Sequence, residues 1–292
     1  MSLHREIARL RTEVDQLGAA CLVEPPDAGP AAIMYASGLE PDPWQQHVLD
    51  TDHKRTLLLV TRQGGKSTTT AAKALHKALY KPGALVLLLS PSLRQSQELF
   101  LKTTTLYQQA GEPVALESLS ALRMQFVHGS RIIALPGTEK TVRGYSGVDL
   151  LVIDEAARVL DELYYSVRPM LAVSGGELIA LSTPWGKRGW FYEEYEKGGD
   201  DWQRIQVTAH ECPRISAAFL EEERRRMPDA WFRSEYLCQF TDTIDSVFRT
   251  EDIERAFSAD VPLLFDGAGR PFEGDHKADP PTSSNGVQPL FA

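Results

Sequence analysis

The chain has 292 residues, of which 42% are hydrophobic, and its formal net charge is −9. This length and apolar content are sufficient for one large domain, alone or with appendages. The acidic balance excludes a protein that coats nucleic acid through overall positive charge, so any contact with DNA must be local. Three widely spaced cysteines argue against a disulfide framework and indicate a reducing cytoplasm. The apolar runs are shorter than the roughly 20 residues of a membrane span, so we expect no membrane partner.

Both ends of the chain are predicted to lie outside the main domain. An apolar stripe from Leu3 to Leu17 predicts an N-terminal helix, which could dock on its own domain or bind a partner. Pro and Gly in residues 24–43 predict a connector, and the composition after about residue 266 predicts a disordered tail. The predicted segments are a helix and linker at 1–40, the main domain at 41–255, and a linker and tail at 256–292.

Between these ends, apolar strand-like runs alternate with helical stretches. Strands are predicted at 56–60, 84–90, 122–127, 131–135, 150–154 and 177–183, and helices at about 66–80 and 92–110. Continuous apolar strands bounded by helices are typical of a parallel sheet covered on both faces. The sequence therefore predicts an α/β fold with a mostly parallel sheet. Two further helices are predicted within residues 217–240, separated near Pro228.

The segment TRQGGKST joins the first strand to the first long helix, where backbone N–H groups can hold phosphate. Lys66 is suited to the β- and γ-phosphates, and the Ser67 hydroxyl to Mg²⁺. Val60 stands where the consensus G-x-x-x-x-G-K-[ST] has its first glycine, so a glycine-rich turn that only begins a helix is the alternative. The predicted nucleotide-binding residues of this loop are Arg62, Gln63, Gly64, Gly65, Lys66, Ser67 and Thr68.

A pair of carboxylates, Asp154 and Glu155, ends the apolar run LLVIDE. A carboxylate at a strand end can bind Mg²⁺ while its neighbour polarises the attacking water, which is the division that phosphoryl transfer to water requires. We therefore predict Asp154 as a metal ligand, with Ser67, and Glu155 as the catalytic base. Together with the phosphate loop, the pair predicts a P-loop ATPase that uses ATP and Mg²⁺.

Two flanking motifs and two arginines extend the predicted site. Trp44 can stack on a purine and the Gln45 amide can bind the adenine edge, although Trp44 as core packing is an equal alternative. The hydroxyls of Ser182 and Thr183, before Pro184, can sense the γ-phosphate, or can form an ordinary turn. The candidates for compensating transition-state charge are Arg62 in the loop and Arg143 in TVRGYSG.

The motifs PWQ, TRQGGKST, LLVIDEAA and STP, in this order over residues 40–255, resemble the N-terminal ATPase half of the large terminase subunit of tailed phages. Terminases of this kind place Arg-Gln just before the Gly-Lys-Ser/Thr and lack the first glycine, as this chain does. By this resemblance Trp44 and Gln45 match the adenine-binding motif, and the carboxylate pair matches Walker B. The remaining matches are the Walker A loop at Arg62 to Ser67, the coupling motif at Ser182 to Pro184, and a trans-acting finger at Arg143.

The resemblance implies a RecA-like motor in the host cytoplasm that moves double-stranded DNA into a procapsid. It also implies a ring, usually of five subunits, docked on the portal protein and supplied with DNA by a small terminase subunit. The family's nuclease domain is not expected in this polypeptide, because Asp266, Glu273, Asp275 and Asp279 lie in a Gly- and Pro-rich stretch.

Two other functions are weighed against a packaging ATPase. A helicase-like DNA-dependent ATPase would share the acidic motif, but the residues after 240 are too few for a second RecA-like domain. A nucleotide-binding assembly protein that has lost hydrolysis would be expected to lack some of the four residues Lys66, Ser67, Asp154 and Glu155, which are all present.

Overall fold

An eight-stranded sheet forms the centre of the structure, a computed structural model that describes residues 29–137, 142 and 144–242. These residues belong to one compact unit, residues 1–244. The strands are β1 (Arg55–Val60), β2 (Leu85–Ser90), β3 (Leu116–Leu119), β4 (Arg123–Phe126), β5 (Arg131–Pro136), β6 (Leu150–Asp154), β7 (Glu177–Ser182) and β8 (Gln203–Val207).

The sheet is mostly parallel, with the strand order β3-β4-β5-β2-β6-β7-β1-β8. Strands β5, β2, β6, β7, β1 and β8 pair in parallel, whereas β3-β4 and β4-β5 are antiparallel, as expected for the hairpin predicted at 122–135. Strands β2, β6 and β7 are buried along their whole length, as parallel strands covered on both faces must be. The predicted α/β fold is confirmed.

Eight α-helices and three short 3₁₀ helices are present in the described part of the chain. The α-helices are α1 (Ala31–Ala36), α2 (Pro43–Asp50), α3 (Lys66–Tyr80), α4 (Leu93–Gln109), α5 (Asp161–Val167), α6 (Gly189–Glu196), α7 (Ala217–Arg226) and α8 (Asp229–Leu237). The 3₁₀ helices are Ala156–Arg158, Arg168–Leu171 and Ala209–Glu211. None of the helices in the described ranges is long and apolar enough to cross a membrane.

Successive side chains of the central strands pack alternately into two separate apolar layers. In β1, Leu58 and Val60 belong to the layer that includes buried residues of α1 to α4, and Leu57 and Leu59 to the layer that includes α5 and α6. The two-residue period of a strand sends successive side chains to opposite faces. Helices therefore cover both faces, and the polar loops are left at the two ends of the strands.

Several elements differ from the sequence predictions, and helices α2, α5 and α6 are among those that were not predicted. The connector expected at 24–43 contains α1, whose Ala31, Ile33 and Met34 are buried in the core. Strands β3 and β8 were not predicted, because as edge strands they are only partly buried and lack a continuous apolar run. The N-terminal stripe, the tail and Arg143 lie outside the described residues, and the domain boundaries stay predictions.

Candidate functional site

Three adjacent strands bring the predicted motifs to one edge of the sheet. Strands β6, β7 and β1 are neighbours and run in parallel, so their carboxyl ends lie side by side. The register pairs Leu59 of β1 with Ser182 of β7, and Leu181 with Asp154 of β6. Ligands of open α/β sheets bind at this edge, because helix N-termini and loop N–H groups face it.

The phosphate loop is a tight turn that requires its two glycines. Gly65 has φ +96° and caps the N-terminus of α3, a left-handed conformation that L side chains rarely adopt. A Cβ on Gly64 would lie 2.7 Å from Cγ1 of Val60 and 3.1 Å from the carbonyl oxygen of Thr61. Val60, which replaces the first glycine of the consensus, is fully buried as the last residue of β1.

The four residues of the predicted reaction centre meet at the start of α3. The Lys66 ammonium lies 3.6 Å from Oε1 of Glu155, and the Ser67 hydroxyl donates to Oδ2 of Asp154 at 3.4 Å. Both contacts are longer than well-formed charge-assisted hydrogen bonds. The ammonium, the hydroxyl and the two carboxylates thus lie close together without tight pairing between them.

The carboxylates occupy different environments. Burial, followed by repulsion from Glu155, raises the pKa of Asp154 to about 6. The Asp154 carboxylate is buried, and together with the Ser67 hydroxyl it offers the oxygen ligands that Mg²⁺ prefers. Glu155 has a left-handed backbone (φ 51°, ψ 42°), which turns the chain sharply after β6.

A cavity of about 740 Å³ opens beside the loop. Its lining includes loop residues and Glu155, and it also includes four residues that sequence reasoning missed, which are Gln95, Lys102, Arg158 and Arg214. These residues come from α4, the 3₁₀ helix after β6 and the segment before α7. Cationic lining by Lys102, Arg158 and Arg214 in addition to Lys66 and Arg62 is suited to a polyphosphate ligand.

Arg214 ties the loop to the N-terminus of α2. Its guanidinium donates to Oδ1 of Asp42 at 3.0 Å and to the carbonyl oxygen of Gly64 at 2.8 Å. Asp42 precedes α2 and accepts two close contacts from this arginine. A single arginine in an irregular segment carries no motif, so this contact could not be predicted from the sequence.

Gln45 contacts the first turn of α3, next to the phosphate loop. Its amide nitrogen donates to Oγ1 of Thr69 at 2.9 Å, and its Oε1 accepts from the backbone N–H of Asp42. Trp44 packs against the core and does not line the cavity, and its buried indole N–H has no hydrogen-bond partner among the residues that the structure describes. This placement accords with the packing alternative for Trp44, and the adenine role of both residues stays a prediction.

The remaining candidates flank the cavity. Arg62 lines it and pairs with Glu235 of α8, with Nε 2.6 Å from Oε2. Ser182 and Thr183 are buried, and the Ser182 hydroxyl accepts from the backbone N–H of Ala157 at 3.2 Å. The carbonyl oxygen of Pro184 accepts from the hydroxyl of Ser234, also in α8. The segment from Ser182 to Pro184 thus contacts both Ala157, two residues after Glu155, and helix α8.

The mostly parallel eight-stranded sheet and the phosphate loop between β1 and α3 define a RecA-like P-loop fold. The sequence profile of the family "Terminase large subunit, T4likevirus-type, N-terminal" matches residues 57–255. This match covers more than half of the 292 residues, and the chain belongs to that terminase family. The resemblance stated from the motifs is confirmed.

Individual relatives agree with this assignment. The large terminase subunit of Thermus phage G20c is 25% identical, over 74% of this chain and 52% of its own length. The solved ATPase domain of the Thermus phage P74-26 large terminase has a TM-score of 0.65 at 22% identity, covering 75% of this chain and 100% of that domain. The large terminase of the thermophilic bacteriophage D6E, solved with ATP-gamma-S, has a TM-score of 0.57 at 14% identity, over 68% and 52%. The chain spans about half the length of the G20c relative.

Proposed function

We propose that this chain is the ATP-hydrolysing motor part of a DNA-packaging terminase. The observation that carries the proposal is the convergence of Lys66, Ser67, Asp154 and Glu155 at the carboxyl edge of β1 and β6. Membership of the terminase family supports the same reading, as do solved terminases named as ATPase domains or as complexes with ATP-gamma-S.

In the proposed reaction ATP lies across the phosphate loop with its phosphates at the N-terminus of α3. Lys66 and the loop N–H groups bind the β- and γ-phosphates, and Ser67 and Asp154 would hold Mg²⁺. The cation, when bound, neutralises charge on the phosphate oxygens. Glu155 accepts a proton from the attacking water, whose oxygen bonds to the γ-phosphorus as the bond from that phosphorus to the β–γ bridging oxygen breaks, so that ADP and phosphate are the products.

Coupling is proposed to pass through Ser182 and Thr183. Ser182 contacts Ala157, two residues after Glu155, and Pro184 contacts α8 through Ser234. A change in the γ-phosphate would therefore reach α8, which also pairs with Arg62 through Glu235. Arg62 in cis and Arg143, in cis or from a neighbouring subunit, are the proposed sources of positive charge in the transition state.

The proposed partners are double-stranded DNA, the portal protein and a small terminase subunit. The motor would act in the host cytoplasm as a homo-oligomeric ring, of five subunits by the family resemblance, while docked on the portal of the procapsid. With a formal net charge of −9, a monomer is expected to bind DNA weakly and in a salt-sensitive way. Grip on DNA would then depend on assembly of the ring.

The test is ATP turnover by the wild type and by Glu155→Gln, each with and without double-stranded DNA. We expect Glu155→Gln to bind ATP while turnover falls by about 100-fold or more. The matched control is Glu162→Gln, because Glu162 is an exposed residue of α5 and does not line the cavity. This variant should hydrolyse ATP at the wild-type rate.

The presence of DNA separates the finer alternatives. Stimulation of wild-type turnover by double-stranded DNA would support a motor over a simple nucleotide hydrolase. Binding of ATP without turnover, even with DNA and the partner proteins, would contradict hydrolysis and favour a nucleotide-binding assembly protein.

A further inference from the structure

Arg158 lies beside the proposed catalytic base but outside every motif in the sequence. It is the last residue of the 3₁₀ helix Ala156–Arg158, which follows Glu155. Its Nε lies 3.8 Å from Oε2 of Glu155, and its side chain lines the nucleotide cavity. A guanidinium is always protonated, so this position supplies a permanent positive charge.

The guanidinium of Arg158 is stacked on an aromatic ring just after the proposed coupling segment, Ser182 to Pro184. Its central carbon lies 3.6 Å from the centroid of the Trp185 ring, a close cation–π contact. Trp185 directly follows Pro184. Stacking restricts the rotamers of Arg158 and thereby fixes the direction from which its charge reaches Glu155.

A second contact joins the same two segments. The Ser182 hydroxyl accepts from the N–H of Ala157, the residue before Arg158. The segment after β6 is therefore held to the end of β7 by the hydrogen bond from Ala157 to the Ser182 hydroxyl, and to the residues that follow by the stacking of Arg158 on Trp185. Movement of Trp185 would be transmitted to Arg158 without passing through the nucleotide.

Glu155 is shared between two cations, Lys66 at Oε1 and Arg158 at Oε2. In the proposed function Lys66 turns to the phosphates when ATP binds, and this weakens its hold on Glu155. Arg158 then remains as the cation that orients the carboxylate toward the water.

We infer that Arg158 is a positioning residue for Glu155 and that Trp185 holds it in place, which links the catalytic base to the coupling segment. The inference rests on the proposed function, because it gives Glu155 the role of base. It predicts that the Trp185 ring affects the rate of hydrolysis without contacting nucleotide.

The test measures kcat and KM for ATP, with double-stranded DNA, in variants of the stacked pair. Trp185→Leu should lower kcat by about 10-fold and Arg158→Gln by at least as much, because a misplaced base costs rate more than affinity. KM should stay within about twofold in both. Trp185→Phe keeps an aromatic face and should retain kcat within about threefold.

The double variant Arg158→Gln with Trp185→Leu should be no slower than Arg158→Gln alone, because Trp185 acts only through the arginine. Additive losses in the double variant would contradict the inference. So would an increase in KM at unchanged kcat, which would make Arg158 a ground-state ligand of ATP.

Matched controls separate these losses from general damage. Trp231→Leu removes a half-exposed tryptophan from α8, and Arg226→Gln removes an exposed arginine from α7. Both should hydrolyse ATP at the wild-type rate. If Trp185→Leu unfolds at a much lower temperature than Trp231→Leu, Arg158→Gln alone decides the inference through its kcat and KM.

The same measurements distinguish failure of the inference from failure of the proposed function. If the wild type does not hydrolyse ATP, or Glu155→Gln matches the wild type, the proposed function is wrong and the inference falls with it. If Glu155→Gln is inactive while Arg158→Gln and Trp185→Leu retain the wild-type kcat, only the inference is wrong.

Discussion

Helix α3 carries Lys66 at its N-terminus and Lys73 and Lys77 further along, and these two sets of charges differ in how closely they are paired. At its N-terminus the Lys66 ammonium lies 3.6 Å from Glu155 beside an open cavity. Two turns later the Lys73 ammonium donates to the carbonyl oxygens of Val48 and Thr51, and Lys77 pairs with Glu177 at 2.6 Å. The first set is loosely held and the second is closely bonded.

This difference distinguishes buried charges that are available to bind a ligand from buried charges that stabilise the fold. A buried ion pair stabilises only when hydrogen bonds satisfy its charges. Lys73 and Lys77 both donate such bonds, and Oε1 of Glu177 accepts one from Lys77, whereas its Oε2 lies 3.9 Å from Lys73. Long contacts such as that of Lys66 leave electrostatic attraction for a bound group to use. Variants at the two ends should therefore separate activity from stability.

The largest effect is expected from Lys66→Met. Loss of the ammonium should lower ATP turnover by about 100- to 1000-fold, because the phosphates lose a direct charge-assisted donor. The temperature of unfolding should change little, because the contact with Glu155 is long. Steady-state turnover and a thermal melt measure the two effects, with Lys54→Met, an exposed lysine before β1, as the control. Turnover at the wild-type level would contradict the assignment of Lys66.

Glu177→Gln should give the opposite result. Glu177 is buried at the start of β7, and its loss leaves Lys77 and Lys73 without their carboxylate. The free energy of unfolding should fall by about 3 kcal/mol, while nucleotide affinity remains unchanged. Urea unfolding and titration with a fluorescent ATP analogue measure these two quantities.

The control for Glu177→Gln is Glu193→Gln, which removes an exposed pair with Lys197 on α6. This surface pair should contribute less than about 0.5 kcal/mol. A large loss of nucleotide affinity in Glu177→Gln, without a loss of stability, would show that the two ends of α3 do not have separate roles.

A smaller effect is expected from Arg214→Ala. The variant removes the donor to Gly64 and the pair with Asp42, so the phosphate loop loses an external support. Nucleotide affinity should fall by about 10-fold, in keeping with the loss of a charge-assisted hydrogen bond. Titration with the same ATP analogue tests this, and Arg226→Ala on α7 should bind as the wild type does. Equal affinities for the two variants would exclude Arg214 from the site.

The smallest expected effect is a dependence of stability on pH that originates at His76, toward the C-terminus of α3. Burial, with repulsion from Lys77 and Lys73, lowers its pKa to about 4. Between about pH 6.5 and pH 4 the unfolded chain binds more protons than the folded chain at this residue, so stability falls as the pH falls through this window.

His76→Leu should reduce that loss of stability on acidification. The difference should stay below about 1 kcal/mol, because the ring is partly exposed and solvent screens it. His53→Leu, at an exposed position, is the control and should leave the dependence unchanged. Urea unfolding at pH 7 and pH 5 measures both. An equal loss of stability between pH 7 and pH 5 in His76→Leu and the wild type would show that His76 is not the source of the pH dependence.

Prediction from the sequence succeeded where one residue pattern fixed both an element and its end. The helix predicted at 66–80 is α3, Lys66–Tyr80, and the strand predicted at 150–154 is β6, Leu150–Asp154. An apolar run followed by a glycine turn or a carboxylate pair determines where the chain must leave the sheet. Edge strands such as β8 carry a weaker pattern, because only one side of them is covered by a neighbouring strand.

The fold class, the family motifs and the four residues Lys66, Ser67, Asp154 and Glu155 could be predicted from the sequence. A local residue pattern fixes where each strand ends, and parallel strands end at one edge of the sheet. The residues that surround these four are known only from the tertiary structure. Arg158 reaches the cavity from a short 3₁₀ helix and Arg214 from the segment before α7, and their partners Trp185 and Asp42 are distant along the chain. Such contacts follow from packing of the layers, which no local pattern records.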